Sequence, residues 1–229
     1  MTGRVAFVLS GCGVKDGTEI HEAVAALIAL DRAGFRVLFT APDAAQSATV
    51  DHATGKVSGE PRNVLREAAR IARGSIRPLS SIRVDDYDAV VFPGGFGAAS
   101  NLSSFGRDGA GCSVTPEVRR LVEEALGAGR PIAAMCIAPV ILARLVPGAR
   151  LTIGRDRATA DAIRAMGAIH VDCSVDGVVV DEERRIVTTP AYMLADGPAE
   201  VFAGAEAMVR ALSRLLAPPP APTPTPGIS

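Results

Sequence analysis

The chain has 229 residues with no tryptophan, and aromatic residues make up only 4% of it. Stacking platforms for single-stranded nucleic acid are not expected, because such platforms are built from aromatic rings. Lys and Arg total 24 against 25 Asp and Glu, so the basic excess typical of a nucleic-acid binder is missing as well. The composition therefore predicts no nucleic-acid partner.

Long apolar runs are also missing. The longest, residues 23–30, is far shorter than the roughly 20 residues that cross a bilayer. The first residues lead into a strand-like segment without the apolar stretch of a secretory signal. The four cysteines, at positions 12, 112, 136 and 173, match neither a metal-ligand spacing nor a disulfide framework. These absences predict a cytoplasmic protein with reduced thiols, no membrane partner and no metal site.

What the chain does contain is 48% apolar residues, grouped in short strand-like runs that alternate with helix-like segments. The predicted strands are 4–9, 35–40, 88–92 and 131–135, and the predicted helices are 20–32 and 115–128. Thr115 is expected to cap the second helix, with Pro116 in its first turn. Strand and helix in alternation predict a mostly parallel sheet that is covered on both faces.

Three segments depart from this alternation. Residues 47–60 read as a polar hairpin and residues 98–113 as a long loop. Residues 169–188 contain two strand pieces, 177–180 and 185–188, joined by a turn. At the C-terminus, residues 218–229 contain six prolines without an apolar pattern, which predicts a disordered tail. We therefore expect a single domain over residues 1–217.

A cysteine at a strand–helix junction is the most informative feature. Residues 131–139 read PIAAMCIAP, and the strand is predicted to pass straight into a helix with Cys136 at the bend. A nucleophile elbow needs small residues two positions away on either side, and Ala134 and Ala138 meet that need. The helix dipole would favour the thiolate, and the Ile137 N–H would face an oxyanion. A buried structural cysteine is the alternative interpretation.

Further candidates lie at other turns. The turn with Gly94 and Gly95 ends the strand expected beside Cys136; it is either a second oxyanion donor or an ordinary glycine turn. Glu19 and Glu22 share a face at the start of the first helix, so one of them could reach Cys136, although the helix dipole alone favours acids there. Cys12, in a tight Gly-rich turn, is a candidate for the rim of the same site.

Four segments together carry a family resemblance: SGCGVKDGTEIHEA, PGGFGAA, MCIAP and VTTPAYM. They resemble the ElbB-type isoprenoid-biosynthesis glyoxalases, in the PfpI-like branch of the class I glutamine amidotransferase-like superfamily, over residues 4–216. The resemblance implies a flavodoxin-like three-layer α/β sandwich and a homodimer. It also implies that Cys136 is the nucleophile, that Glu22 is the buried acid beside it, and that Gly94, Gly95 and Ile137 supply the oxyanion-binding backbone.

The histidine pattern argues against glutamine hydrolysis. Many PfpI-like proteins have a histidine after the nucleophile, where this chain has Ile137, and residues 188–193 offer neither the histidine nor the acid that glutaminases need. Without such a partner, an amine leaving group lacks its proton donor. An α-oxoaldehyde can be captured as a hemithioacetal without histidine, and a carboxyl group can then move the C1 proton to C2. The resemblance thus implies a glutathione-independent glyoxalase that forms glycolate or lactate, with no organic cofactor.

Two alternatives remain open from the sequence. The protein could be a non-catalytic redox sensor or stress-response protein in which Cys136 oxidises reversibly. Less favoured is a dinucleotide-binding enzyme, suggested by Gly11, Gly13 and Gly17 after the first strand and by Asp43 beyond the second. The glycine spacing departs from the G-x-G-x-x-G pattern of such enzymes.

Overall fold

A computed structural model describes residues 3–217 of the chain, so the predicted tail at 218–229 lies outside the described residues. The strands are β1 Arg4–Val8, β2 Arg36–Ala41, β3 Thr49–Val50, β4 Val57–Ser58, β5 Arg77–Pro78, β6 Ala89–Phe92, β7 Ile132–Met135, β8 Arg150–Leu151, β9 Ile169–His170, β10 Val179–Asp181 and β11 Ile186–Thr189. The α-helices are α1 Ile20–Arg32, α2 Val64–Ile71, α3 Phe96–Ser100, α4 Phe105–Asp108, α5 Pro116–Gly127, α6 Pro139–Leu145, α7 Arg157–Ala165 and α8 Pro198–Leu216.

The central sheet has the strand order β10-β11-β7-β6-β1-β2-β5. Its strand pairs are parallel, except that β10 runs antiparallel to β11. In register, Ala134 of β7 lies between Phe92 of β6 and Thr188 of β11. The carboxyl ends of these three strands therefore meet at one edge, where an open α/β sheet places its functional site.

Both faces of the sheet carry a packed core. In β1, Ala6 and Val8 point to one face while Val5 and Phe7 point to the other, and all four are fully buried. Helices α5, α6 and α7 cover the first face, and α1, α2 and α8 cover the second. The flavodoxin-like three-layer sandwich with a mostly parallel sheet is thus confirmed.

Several predicted elements are confirmed. The first helix begins at Ile20 and ends at Arg32, as its pattern indicates. Residues 49–58 form an antiparallel hairpin inside the predicted polar insertion, and β10 and β11 form the expected late hairpin. Within residues 3–217, no helix has the length and apolar character that a membrane crossing requires.

Three local predictions are wrong. Residues 98–113 are not one long loop, because α3 and α4 occupy much of this stretch; helices of four or five residues are too short to show periodicity. Thr115 stands at the start of α5, but its hydroxyl caps no backbone N–H. The helix after β7 begins at Pro139 rather than directly after Cys136, since residues 136–138 form a turn.

Candidate active site

Cys136 occupies a strained turn at the end of β7. Its φ is +60°, a left-handed conformation that residues with a side chain rarely adopt. Its backbone N–H donates to the Thr189 carbonyl at 3.0 Å, which anchors the turn to β11. Ala134 and Ala138 are fully buried on either side, as a nucleophile elbow requires. Cys136 as a whole is only 8% exposed.

The Glu22 carboxyl group lies beside this thiol. Glu22 sits in the first turn of α1 and is fully buried, and its side chain interacts directly with that of Cys136. A Cβ on Gly94 would lie 2.3 Å from Glu22 Oε2 and 3.0 Å from Cys136 Sγ, so only glycine fits between these two groups. Glu19 is not the acid that approaches Cys136; its Oε2 instead accepts the Glu22 N–H at 2.6 Å and caps the helix.

The two carboxylate oxygens of Glu22 have different surroundings. Oε1 accepts the backbone N–H of Tyr192 at 3.1 Å, and the Gly94 N–H also donates to the carboxyl group. Oε2, the oxygen that a Gly94 Cβ would meet together with the Cys136 sulfur, has no hydrogen-bond partner of good geometry within residues 3–217. A buried oxygen in this state is stabilised when it carries a proton, because the acid can then donate toward the sulfur.

Burial decides the proton affinities of the pair. Desolvation raises the pKa of Glu22 to about 7, although contacts from Cys136, Tyr192 and Gly94 oppose it. Desolvation, followed by the Glu22 charge, also raises the pKa of the Cys136 thiol well above its ordinary value. The expectation that the thiolate would be favoured is therefore wrong in its net direction. The reason is that the thiol is buried beside an acid and α6 begins three residues later.

Two backbone N–H groups point toward the sulfur. The N–H groups of Gly95 and Ile137 both lower the pKa of the Cys136 thiol. They could also donate to the oxyanion of a carbonyl group that the sulfur attacks. Gly95 has φ of +98°, and a Cβ there would lie 2.3 Å from the Glu19 N and the Gly17 O. Gly94 takes a different part from the one predicted, because its N–H faces Glu22 and its carbonyl accepts the Glu19 N–H at 3.0 Å.

Cys12 is half-buried in the turn after β1. Burial raises the pKa of its thiol, and the charges that act on it most belong to Arg70, Glu67, Asp16 and Arg62. These charges lie on α2 and on the loops around it rather than at the Cys136–Glu22 pair. The rim position expected for Cys12 stays a prediction.

The segment that follows β11 contributes residues that the sequence analysis missed. The Tyr192 backbone N–H donates to Glu22 Oε1, and the Tyr192 hydroxyl lies 2.7 Å from His21 Nδ1. His21 and Glu22 are neighbours on α1 with side chains in different directions, and both reach the same tyrosine. The signal available in the sequence was the VTTPAYM segment, which the family resemblance used without assigning any residue in it a role.

The glycine-rich turn after β1 packs against residues of the β3–β4 hairpin region. A Cβ on Gly13 would lie 2.6 Å from the His52 ring, and Asp16 accepts the Val50 N–H at 2.7 Å. Asp43, the acid that the dinucleotide alternative would use for a ribose, accepts a hydrogen bond from Asn63 at 2.8 Å. The Gly13 N–H donates to the Thr18 carbonyl at 2.8 Å and the Gly17 N–H donates to the Gly13 carbonyl at 2.7 Å, so both donors are engaged within the turn, which argues against the dinucleotide alternative.

The fold and the elbow define the class of protein: a parallel α/β sandwich with a cysteine on the turn between a central strand and a short helix, the class I glutamine amidotransferase-like fold. Residues 8–196 match the model of the DJ-1/PfpI family. The chain belongs to this family.

Individual relatives agree with this assignment. The human glutamine amidotransferase-like class 1 domain-containing protein 3, mitochondrial, is 47% identical over 222 residues, covering 93% of this chain and 83% of that protein. The rat ES1 protein homolog, mitochondrial, is 46% identical, covering 93% and 84%. A solved structure titled isoprenoid biosynthesis protein with amidotransferase-like domain, from Ehrlichia chaffeensis, is 38% identical with a TM-score of 0.88, covering 93% of this chain and 99% of that one.

These relatives correct the expected location. The sequence predicts a cytoplasmic protein, but the human and rat relatives are both named mitochondrial, so that prediction is wrong. An apolar run is the mark of a secretory signal only. Segments that direct proteins to mitochondria are amphipathic and rich in arginine, and an apolar run is no test for them.

Proposed function

We propose that this protein is a glutathione-independent glyoxalase that converts glyoxal to glycolate or methylglyoxal to lactate. The observation that carries the proposal is the contact between a buried thiol, Cys136, and a buried acid, Glu22, at an elbow where two N–H groups face the sulfur. Neither a histidine nor a metal is required by this chemistry. Within residues 3–217, no three His, Cys, Asp or Glu side chains converge as a metal site would require.

The first step is capture of the aldehyde. The Glu22 carboxylate accepts the thiol proton while the Cys136 sulfur adds to the carbonyl carbon, which forms the C–S bond of a hemithioacetal. The N–H groups of Gly95 and Ile137 stabilise the negative charge on the former carbonyl oxygen. Glu22 returns the proton to that oxygen. Because its pKa lies at about 7, Glu22 can accept and release a proton near neutral pH.

The second step is an internal redox change within the bound substrate. Glu22 removes the hydrogen of the sulfur-bearing carbon as a proton and delivers it to the neighbouring carbon through an enediol-like state, while the hydroxyl proton of the hemithioacetal passes to the neighbouring oxygen. The sulfur-bearing carbon is thereby oxidised to a thioester and its neighbour is reduced to an alcohol, so no outside oxidant or reductant is needed. Water then cleaves the thioester and releases the 2-hydroxy acid and the free thiol.

The narrower family assignment belongs to this proposal. We assign the chain to the ElbB-type branch, supported by its four sequence segments and by its similarity to the Ehrlichia chaffeensis isoprenoid biosynthesis protein. The reactive carbonyl substrate and the homodimer follow from the same resemblance. Sedimentation equilibrium measures the mass in solution, and a monomer at micromolar concentration would contradict the dimer.

The proposed function is tested by following glyoxal without glutathione. The purified protein is expected to consume glyoxal and form glycolate, and Cys136→Ala is expected to lose that activity. Cys112→Ala is the matched control, because Cys112 is also buried but packs against Met166 on the other face of the sheet. Turnover that survives in folded Cys136→Ala would contradict the mechanism. Absence of turnover with reversible peroxide oxidation of Cys136 would favour the redox-sensor alternative.

A further inference from the structure

The short segment that follows β11 touches both members of the Cys136–Glu22 pair. At one end, the Thr189 carbonyl accepts the Cys136 N–H at 3.0 Å. At the other end, the Tyr192 N–H donates to Glu22 Oε1 at 3.1 Å. Only two residues, Pro190 and Ala191, separate the two anchoring residues, so a shift of this segment would change the relative position of thiol and carboxyl.

The backbone between these two anchors is strained. Ala191 has φ of +46°, in the left-handed region that residues with a side chain rarely adopt. It begins a 3-10 helix over Ala191–Met193, where the peptide must turn to aim the Tyr192 N–H at Glu22. A conformation of this kind persists only where the surroundings hold it in place.

A contact that holds the segment is the bond between Tyr192 and His21. The Tyr192 hydroxyl lies 2.7 Å from His21 Nδ1, and the two rings are tilted with centroids 5.8 Å apart. Burial, together with the charges of Glu19 and Glu22, raises the pKa of the Tyr192 phenol. The phenol therefore stays protonated at neutral pH and shares a hydrogen bond with the His21 imidazole.

Consecutive residues of α1 thus hold one tyrosine at two points. His21 holds the side chain, while the Glu22 carboxyl accepts the backbone N–H. Because His21 and Glu22 are fixed on the same helical turn, the hydroxyl bond aligns the Tyr192 amide with the carboxyl group. We propose that Tyr192 and His21 are positioning residues, which fix the 3-10 helix after β11 and thereby hold the Glu22 carboxyl group against the Cys136 thiol.

The consequence for turnover rests on the proposed function, but the consequence for the thiol does not. Alkylation of Cys136 by iodoacetamide, followed by peptide mass spectrometry across a range of pH, reports the titration of the Cys136–Glu22 pair directly. The charged and titratable groups that face Glu22 are Cys136, Glu19 and Tyr192, so substitutions at Tyr192 and His21 leave its charged neighbours Cys136 and Glu19 intact.

The test variants are Tyr192→Phe and His21→Ala. Each removes the phenol–imidazole bond and loosens the hold on the Glu22 carboxylate, whose charge raises the pKa of the Cys136 thiol, so the midpoint of the alkylation profile should move downward by roughly 0.5–1 pH unit. Tyr87→Phe is the matched control. It removes the other tyrosine hydroxyl of the chain, which is buried and has no hydrogen-bond partner among residues 3–217, and should leave the midpoint unchanged.

A double variant separates positioning from general loss of structure. If both residues act through one bond, Tyr192→Phe combined with His21→Ala should shift the midpoint no further than either single change. Additive shifts, or a wild-type midpoint in both single variants, would overturn the proposal. A shifted midpoint in a protein that consumes no glyoxal would support the positioning role while contradicting the proposed function.

Discussion

Cys112 and Cys136 are both buried, on opposite faces of the central sheet. Cys112 has an ordinary extended backbone, with φ of −61°, and its sulfur lies 3.8 Å from the Met166 sulfur. Cys136 has φ of +60° and faces a carboxyl group and two N–H groups. Burial is thus common to both thiols, whereas backbone strain and polar neighbours belong to one of them.

The comparison shows why thiol acidity alone does not identify the site. Burial is the largest influence on both cysteines and raises both pKa values. What differs is the charged side chain that lies beside each sulfur. Near Cys112 the strongest charge is that of the Arg144 guanidinium, while Cys136 has Glu22, whose pKa of about 7 lets it exchange a proton with the thiol.

The largest expected effect comes from removing the proton acceptor from this site. Glu22→Gln retains the shape of the side chain but cannot accept the thiol proton, so glyoxal turnover should fall by about 10²–10⁴-fold. The measurement is kcat/KM for glyoxal by glycolate formation. Glu67→Gln is the control, because Glu67 is a largely buried acid on α2 that pairs with Arg70. Equal losses of kcat/KM in both variants would mean that the carboxyl group beside Cys136 has no specific role in glyoxal turnover.

The same comparison shows what the sequence could predict. Apolar periodicity predicted the bounds of α1 and the central strands well, because buried faces impose that pattern. The elbow at Cys136 was predictable from Ala134 and Ala138, since sterics alone require small residues there. Helices α3 and α4 were not, because four or five residues cannot display a helical period.

The details of the site depend on tertiary contacts that no local pattern contains. The helical pattern left Glu19 and Glu22 equivalent, and only the family resemblance favoured Glu22; the physical reason for the choice is the capping bond of Glu19 and the position of Gly94. The direction of the pKa shift of the Cys136 thiol was predicted wrongly. A helix dipole can be inferred from the local sequence, whereas desolvation depends on the residues that the fold packs around the thiol. Tyr192 lies 170 residues from Glu22 in the chain, and its part follows from the fold alone.

A smaller effect on activity is expected where space, rather than charge, is changed. Gly94→Ala places a methyl group 2.3 Å from Glu22 Oε2 and 2.4 Å from Cys136 Cβ, so the pair must separate and turnover should fall by at least about 10-fold. Gly127→Ala is the matched control, because a Cβ there meets nothing within 4 Å at the end of α5. Wild-type turnover in Gly94→Ala would show that contact between thiol and carboxyl is unnecessary.

The pH dependence of stability gives a test that does not involve turnover. In the folded state the pKa of Glu22 is raised from 4.5 to about 7, so the folded protein binds more protons than the unfolded chain between these values. Its stability contribution is therefore present below pH 4.5 and is lost as the pH rises through 7. Relative to Glu22→Gln, the wild type should lose on the order of 2–3 kcal/mol between pH 5 and pH 8. Urea unfolding of both proteins at pH 5 and pH 8 measures this loss. An equal change in the free energy of unfolding for wild type and Glu22→Gln would contradict a buried titrating acid at position 22.

The smallest effect is expected at the other thiol. Cys112→Ala removes a sulfur that packs against Met166 within the core, and should lower the free energy of unfolding by about 1–2 kcal/mol in urea titrations. Glyoxal turnover per folded molecule should stay at the wild-type level, because the opposite face of the sheet holds the Cys136–Glu22 pair. Should the folded Cys112→Ala protein lose turnover, the two faces would be coupled through β7, and the distinction between a packed thiol and a reactive one would fail for this molecule.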